Sequence, residues 1–262
     1  MNESIKVSII TASYNYAEYI SEAIESVINQ TYPNWELIIV DDGSKDNSVE
    51  IIKSYCDKDD RIKLFQHKNG KNKGLKQTLL LGLKKASADW IAFLEADDYY
   101  APNNLEEKIS IINQRKDIFF IFNNYEIIGN KTFLDSPYYN ISQKMLNTRN
   151  GNYSYKDVCC KYNPVATFSM VLLHKSVLKS IDFNTSIHPW LDYYLWLQVA
   201  KKHQFYYLNK KLTFWRKHQN SYINTLKTKN FLLWKLKLCI LCPYYLKYMI
   251  KRTLFVISEF YY

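Results

Sequence analysis

An α/β fold, with a mostly parallel central sheet flanked by helices, is predicted by three features of the N-terminal part of the chain. Apolar segments of strand length alternate with segments of helical period; one strand candidate is apolar throughout; and two acidic turns follow directly on strand ends. Repeated βα units imply crossover connections, and therefore parallel strands with helices on both faces.

The elements follow in order. Residues Lys6 to Thr11 read as a first strand. Between Ala17 and Gln30, the residues Ile20, Ala23, Ile24, Val27 and Ile28 recur at helical spacing, and Pro33 closes the region. Leu37 to Val40 is a continuous apolar run, as expected of a strand covered on both faces. A turn, Asp41 to Ser44, leads into a helix from Asp46 to Tyr55. Ile62 to Phe65 is a third strand and Leu75 to Lys85 a third helix. Trp90 to Leu94 is a fourth strand, followed at once by Glu95, Ala96, Asp97 and Asp98. Pro102 suits the first turn of a helix running to about Gln114. Beyond it, Ile118 to Tyr125 and Phe168 to Leu173 look extended, and Asp192 to Lys202 looks helical. Phe205 to Leu208 and Leu212 to Trp215 resemble two short strands. Residues 126–162 are polar, rich in Tyr and Asn, and carry no clear period.

The chain has 262 residues and a net charge of +10, of which residues from Lys227 onward carry +6. The basic excess therefore belongs to the C-terminal segment, and no nucleic-acid partner is expected of the main body. Five cysteines, an odd count, make no disulfide framework, and the single CxxC at Cys239 and Cys242 has neither a second pair nor a nearby histidine. The start lacks the pattern of a targeting signal, so the expected location is cytoplasmic.

Ligands of open α/β sheets bind beyond the carboxyl ends of the strands. The acidic turns after Val40 and after Leu94 fall at those ends. Either alone is ordinary turn chemistry; two at one rim mark a site.

Several separate stretches resemble family 2 glycosyltransferases: Val7 to Asn15, Ser26 to Pro33, Glu36 to Ser44, and the acidic Glu95 to Asp98, in matching order and spacing. The resemblance is strong to about residue 110, patchy to 185, and returns from 186 to 222. It implies a GT-A fold and an inverting enzyme that moves a sugar from a nucleotide diphosphate donor, most often a UDP-sugar, to a hydroxyl of a glycan or lipid-linked acceptor in surface polysaccharide or lipopolysaccharide synthesis. It also implies a division into a nucleotide-sugar half (1–110) and an acceptor half (111–222); the basic amphipathic tail (223–262) lies beyond the shared pattern.

The resemblance assigns roles residue by residue. Asp42 accepts a hydrogen bond from the nucleobase, with Ala12 and Tyr14 beside the base, while Asp41 holds the loop. Glu95, Ala96 and Asp97 stand where the family has its DxD motif, so Asp97 is the expected ligand of Mn²⁺ or Mg²⁺, and Glu95 faces the ribose or a metal-bound water. The family usually has Asp at the position of Glu95, whose side chain is one methylene longer. Arg216 and His218 fall in an Arg-x-His-x-x-Ser segment, so His218 is expected on the metal or the diphosphate and Arg216 near the phosphate charge. Asp192 matches the general base, although Leu191 replaces the Glu that usually precedes it; Asp192 also stands where a helix N-cap would, and His188 is a rival base. Leu79 and Leu80 replace an Arg-Asn pair, so nucleotide contacts made there in relatives do not carry over.

The tail mixes Trp, Tyr, Leu and basic residues, with no run long enough to span a bilayer. It fits either an anionic membrane surface at the inner face of the cytoplasmic membrane or a helix pair packed on the domain or on a second copy. A sugar nucleotidyltransferase would want a glycine-rich phosphate loop after the first strand, where Thr11 to Asn15 contains no glycine. An inactive nucleotide-sugar-binding module has only Glu95 and Leu191 in its favour.

Overall fold

The structure, a computed structural model, describes residues 4–129, 146, 150–158, 163–184, 191–219 and 221. Its frame is one nine-stranded sheet. The first part runs β1 (Val7–Ser13), α1 (Ile20–Ile28), β2 (Trp35–Asp41), α2 (Ser48–Cys56), β3 (Ile62–Gln66), α3 (Leu75–Lys85) and β4 (Trp90–Phe93). These four strands are mutually parallel in the order β3-β2-β1-β4. All seven residues of β2 are buried, as the unbroken apolar run requires of a strand covered on both faces.

The second part adds β5 (Tyr99–Tyr100), α4 (Asn104–Gln114), β6 (Phe120–Gly129), β7 (Gly151–Tyr153), the short α5 (Tyr155–Val158), β8 (Val171–His174), α6 (Leu191–Ala200) and β9 (Phe205–Lys217). Here the sheet becomes mixed. β8 is antiparallel to both β4 and β6, whereas β6 and β9 are parallel. β5 and β7 add antiparallel to different parts of β9.

Because side chains alternate along a strand, the core forms two layers. One face carries Ile10, Ile91, Phe93, Phe120, Phe122 and Leu173 under α3 and α6. The other carries Val7, Ile9, Ile39, Ala92, Ile121 and Leu172 against α1, α2 and α4. Both layers draw on residues from either side of position 110, so the sheet is continuous across the boundary expected between the two halves.

Several expected elements differ in detail. The two short strands expected near 205–215 are one strand, β9. Its polar stretch Asn209 to Lys211 is exposed where β7 has ended and β5 has not begun, and where the β6 register shifts at Asn123 and Asn124. Phe168 to Met170 is a 3₁₀ turn, not strand, because the Thr167 hydroxyl takes the Ser169 N–H. α2 starts two residues late, since Asp46 spends its carboxylate on the Ser48 N–H and hydroxyl and on the Ala17 N–H. Pro102 sits in the turn before α4. The tail, His188, Cys159, Cys160, Cys239 and Cys242 lie outside the described residues. Among the described residues no helix is long and apolar enough to cross a membrane.

Candidate active site

The carboxyl ends of β1, β2 and β4 open on one rim. Ser13 is level with Asp41, and Leu94 donates its N–H to the Ile10 carbonyl at 3.0 Å. The first two turns are stitched together. Asn15, at φ 58°, takes the Lys45 N–H on its side chain at 2.7 Å, and its own N–H goes to the Ser44 hydroxyl; asparagine is among the residues that tolerate this left-handed conformation. Asp41 closes its own turn by accepting the N–H groups of Gly43 and Ser44, each at 3.1 Å, and the Ser44 hydroxyl. Asp42 reaches the opposite way and accepts the N–H of Lys73 at 2.6 Å and of Gly74 at 2.8 Å. Ala12 is partly buried on β1, and Tyr14, 43% exposed, stands free at its end.

The turn after β4 carries the densest charge. Carboxylate oxygens of Glu95, Asp97 and Asp98 lie within 4.8 Å of one another, while Ala96 is buried between them in sequence. Two hydroxyls from the turn before β8, the strand paired with β4, meet them: Thr167 donates to Glu95 at 2.6 Å, and Ser169 donates to Asp98 at 2.6 Å. Burial, with Asp98 and Asp97 beside it, pushes the Glu95 carboxyl well up. Burial and Asp97 push Asp98 up to about 7, although Ser169, the Arg216 N–H and Thr167 all favour its ionised form. Three close carboxylates, two of them with protonation favoured, form a hard oxygen donor set of the kind a divalent cation takes. The residues present therefore fit the metal that the DxD-like motif implies.

β9 delivers three basic residues to this turn. The Arg216 N–H binds Asp98 at 3.0 Å, and its Nε binds the Asp97 carbonyl at 2.9 Å. Its guanidinium also pairs with Glu22 and lies 5.1 Å from the Tyr19 ring centroid, so Arg216 clamps the acidic turn to α1. His218 Nε2 is 3.0 Å from the Asp97 carboxylate, with its ring 4.6 Å from that of Tyr19. The Ser221 hydroxyl accepts the His218 N–H at 3.3 Å, which gives the serine of the Arg-x-His-x-x-Ser segment a local task. Lys217, between them, lies in the field of Glu95, Asp98, Asp97 and Asp192 together; burial still holds its ammonium down to about 8.

Asp192 sits in the first turn of α6, partly buried, 3.4 Å from the Asn163 amide. Burial raises its carboxyl to about 7 against the opposing pull of nearby N–H groups and Lys217. Its charge is felt by Glu95. The structure thus brings Glu95, Asp97, Asp192, Arg216 and His218 into one neighbourhood, with Asp42 at the next strand end but one. It adds Asp98, Thr167, Ser169, Lys217 and Tyr19, none of which the sequence singled out. Asp98 and Lys217 lay inside recognised stretches; Thr167 and Ser169 belong to no motif and are found only through the sheet.

A family model for glycosyl transferase family 2 matches residues 8–182. The chain belongs to that family. The transferase is 36% identical over 199 residues to WfgD of Escherichia coli, a UDP-Glc:alpha-D-GlcNAc-diphosphoundecaprenol beta-1,3-glucosyltransferase, covering 74% of this chain and 70% of WfgD. It is 38% identical over 130 residues to the putative glycosyltransferase EpsE of Bacillus subtilis, covering 49% of this chain but 44% of that one. Among solved structures, S. aureus TarS in complex with UDP-GlcNAc superimposes with a TM-score of 0.69 at 18% identity, over 90% of this transferase and 66% of TarS. At that identity the match speaks to the fold, and it confirms the GT-A architecture.

Proposed function

We propose that this transferase moves a sugar from a UDP-sugar to a hydroxyl of a lipid-linked glycan, with inversion at the anomeric carbon, in surface-glycan synthesis. One observation carries this reading: Glu95, Asp97, Asp98 and Asp192, from two distant stretches of chain, share the neighbourhood of Lys217 at the carboxyl rim of the sheet. The names of WfgD and of the TarS complex support a UDP-sugar donor, and that of WfgD supports a diphosphoundecaprenol-linked acceptor.

In this reading Ala12, Tyr14 and Asp42 hold the base. A carboxylate has about four lone-pair sites, so Asp42 keeps acceptor capacity beyond its two loop contacts. Asp97, with Glu95 and His218 beside it, would hold Mn²⁺ or Mg²⁺, which supplies charge stabilisation to the departing diphosphate. Arg216 keeps the acidic turn in place and adds positive charge near that diphosphate. Asp192 takes the acceptor proton as its oxygen attacks, through an oxocarbenium-like transition state. Residues 1–110 serve the donor, 111–222 the acceptor, and 223–262 a membrane surface or a second copy, with the protein at the cytoplasmic face.

The test is Asp192→Asn. Removing a general base costs roughly 100- to 10,000-fold in turnover, while donor binding, read as a UDP-sugar thermal shift with Mn²⁺, should persist. In the wild type, activity should climb with pH through about 7 as the Asp192 carboxyl loses its proton, and this limb should become shallower in the variant, where the acidic turn still titrates there. Near-normal turnover with an unchanged pH profile would remove Asp192 from the role.

A further inference from the structure

We propose that the lysine-bearing loop between β3 and α3 is a docking surface for an anionic lipid bilayer, separate from the C-terminal tail and independent of the transfer reading above. From Arg61 to Ala88 the chain has eight basic residues and no acidic one. Lys68, Lys71 and Lys73 are exposed on the loop, Lys76 follows in the first turn of α3, and Lys45 is exposed on the neighbouring turn. Among the described residues no carboxylate pairs with the ammonium groups of Lys45, Lys68, Lys71 or Lys73.

The loop is held in place along its length. Gln66 donates to Asp41 at 3.3 Å, His67 Nε2 lies 3.1 Å from the Thr78 hydroxyl, and the N–H groups of Lys73 and Gly74 end on Asp42. The Gly70 carbonyl is seated against Gly43 so closely that a side chain there would meet it at 2.5 Å. Beside this loop, Asp41, Asp42 and Asp46 each accept hydrogen bonds from their own or neighbouring turns, and the acidic turn after β4 lies two strands away from β2. The loop itself shows solvent a fixed set of cations. Lys45, Lys68, Lys71 and Lys73 are all exposed and carried on two neighbouring turns, a multivalent cationic face of the kind an array of lipid headgroups can engage. Such residues are attracted to an anionic leaflet over about a Debye length.

The experiment is co-sedimentation of the full chain with phosphatidylcholine vesicles, with and without phosphatidylglycerol. Each lysine near such a surface is worth roughly fivefold in partitioning, so combined Lys68→Gln, Lys71→Gln and Lys73→Gln should lower binding to the anionic vesicles by roughly a hundredfold. A charge-matched control, Lys58→Gln, Lys84→Gln and Lys85→Gln, alters lysines at or just beyond the C-terminal ends of α2 and α3, towards the amino ends of the strands, and should change binding much less. Thermal melts of both variants should match the wild type, since all six side chains are exposed. The proposal is overturned if the wild type ignores phosphatidylglycerol, if the loop variant binds as the wild type does, or if the control loses as much as the loop variant. None of these outcomes bears on sugar transfer.

Discussion

Glu36 shows how a single buried acid can hold the far end of the sheet together. It lies on β2, 2% exposed, and gathers the Ser8 hydroxyl at 2.6 Å, the Ser87 N–H and hydroxyl at 2.8 and 2.7 Å, and the Lys6 ammonium at 3.2 Å. Burial alone would raise its carboxyl, but these donors outweigh burial and bring it down to about 2. A folded value below the ordinary 4.5 means stability that is fully present above that pH and lost as pH falls towards about 2. At neutral pH the ionised group is worth on the order of 3 kcal/mol. Glu36→Gln should therefore lower the urea midpoint at pH 7, and its gap from wild type should close progressively below about pH 4.5. A constant gap across that range would show that charge is not what Glu36 contributes. None of this was legible in the sequence, where Glu36 is one polar residue ahead of an apolar run; its partners come from two distant segments, around β1 and before β4.

At the scale of elements, the turn after β2 depends on Gly43. Its φ of +83° favours glycine, and an added Cβ would meet the Gly70 carbonyl at 2.5 Å. Gly70 has φ +58°, but a Cβ there meets nothing within 4 Å. Gly70→Ala should cost roughly 1–2 kcal/mol for the left-handed backbone alone, and Gly43→Ala clearly more, with the β3–α3 loop displaced and UDP-sugar affinity weakened. Urea unfolding of the pair checks the order, and equal losses would refute the close contact. The parallel strands and the third helix were legible because period and punctuation agreed over whole segments. β5, two residues long, is too short to carry a period. In the sequence β9 reads as two strands because Asn209 to Lys211 looks like a loop, and its change of partner from β7 to β5 explains polar residues within a strand. α6 is apolar almost all round, with eight of its ten residues buried, so period alone defines it weakly.

At the scale of the molecule, one sheet and two shared core layers tie the residues on either side of position 110 into a single folding problem. β4 gives its outer edge to β8, and the layer around α4 includes Leu172, Leu208 and Leu212. Residues 1–110 alone would expose that edge and lose those partners. The isolated fragment should show no cooperative thermal transition by circular dichroism, while the full chain melts cooperatively; a sharp fragment melt would make the first half autonomous. The carboxylates' meeting place was legible only as two acidic turns on one rim. Asp192 entered through family resemblance, because its distance in sequence from Glu95 hides the closeness that the sheet creates.

The hydroxyls of Thr167 and Ser169 reach the acidic turn from a 3₁₀ turn that leads straight into β8. Anything that shifts that neighbouring strand, whether drift during evolution or deliberate redesign, also shifts the hands that hold Glu95 and Asp98. Substitutions along β8 should thus retune the charge of the acidic turn without touching it, and strand position and turn charge should travel together across engineered variants.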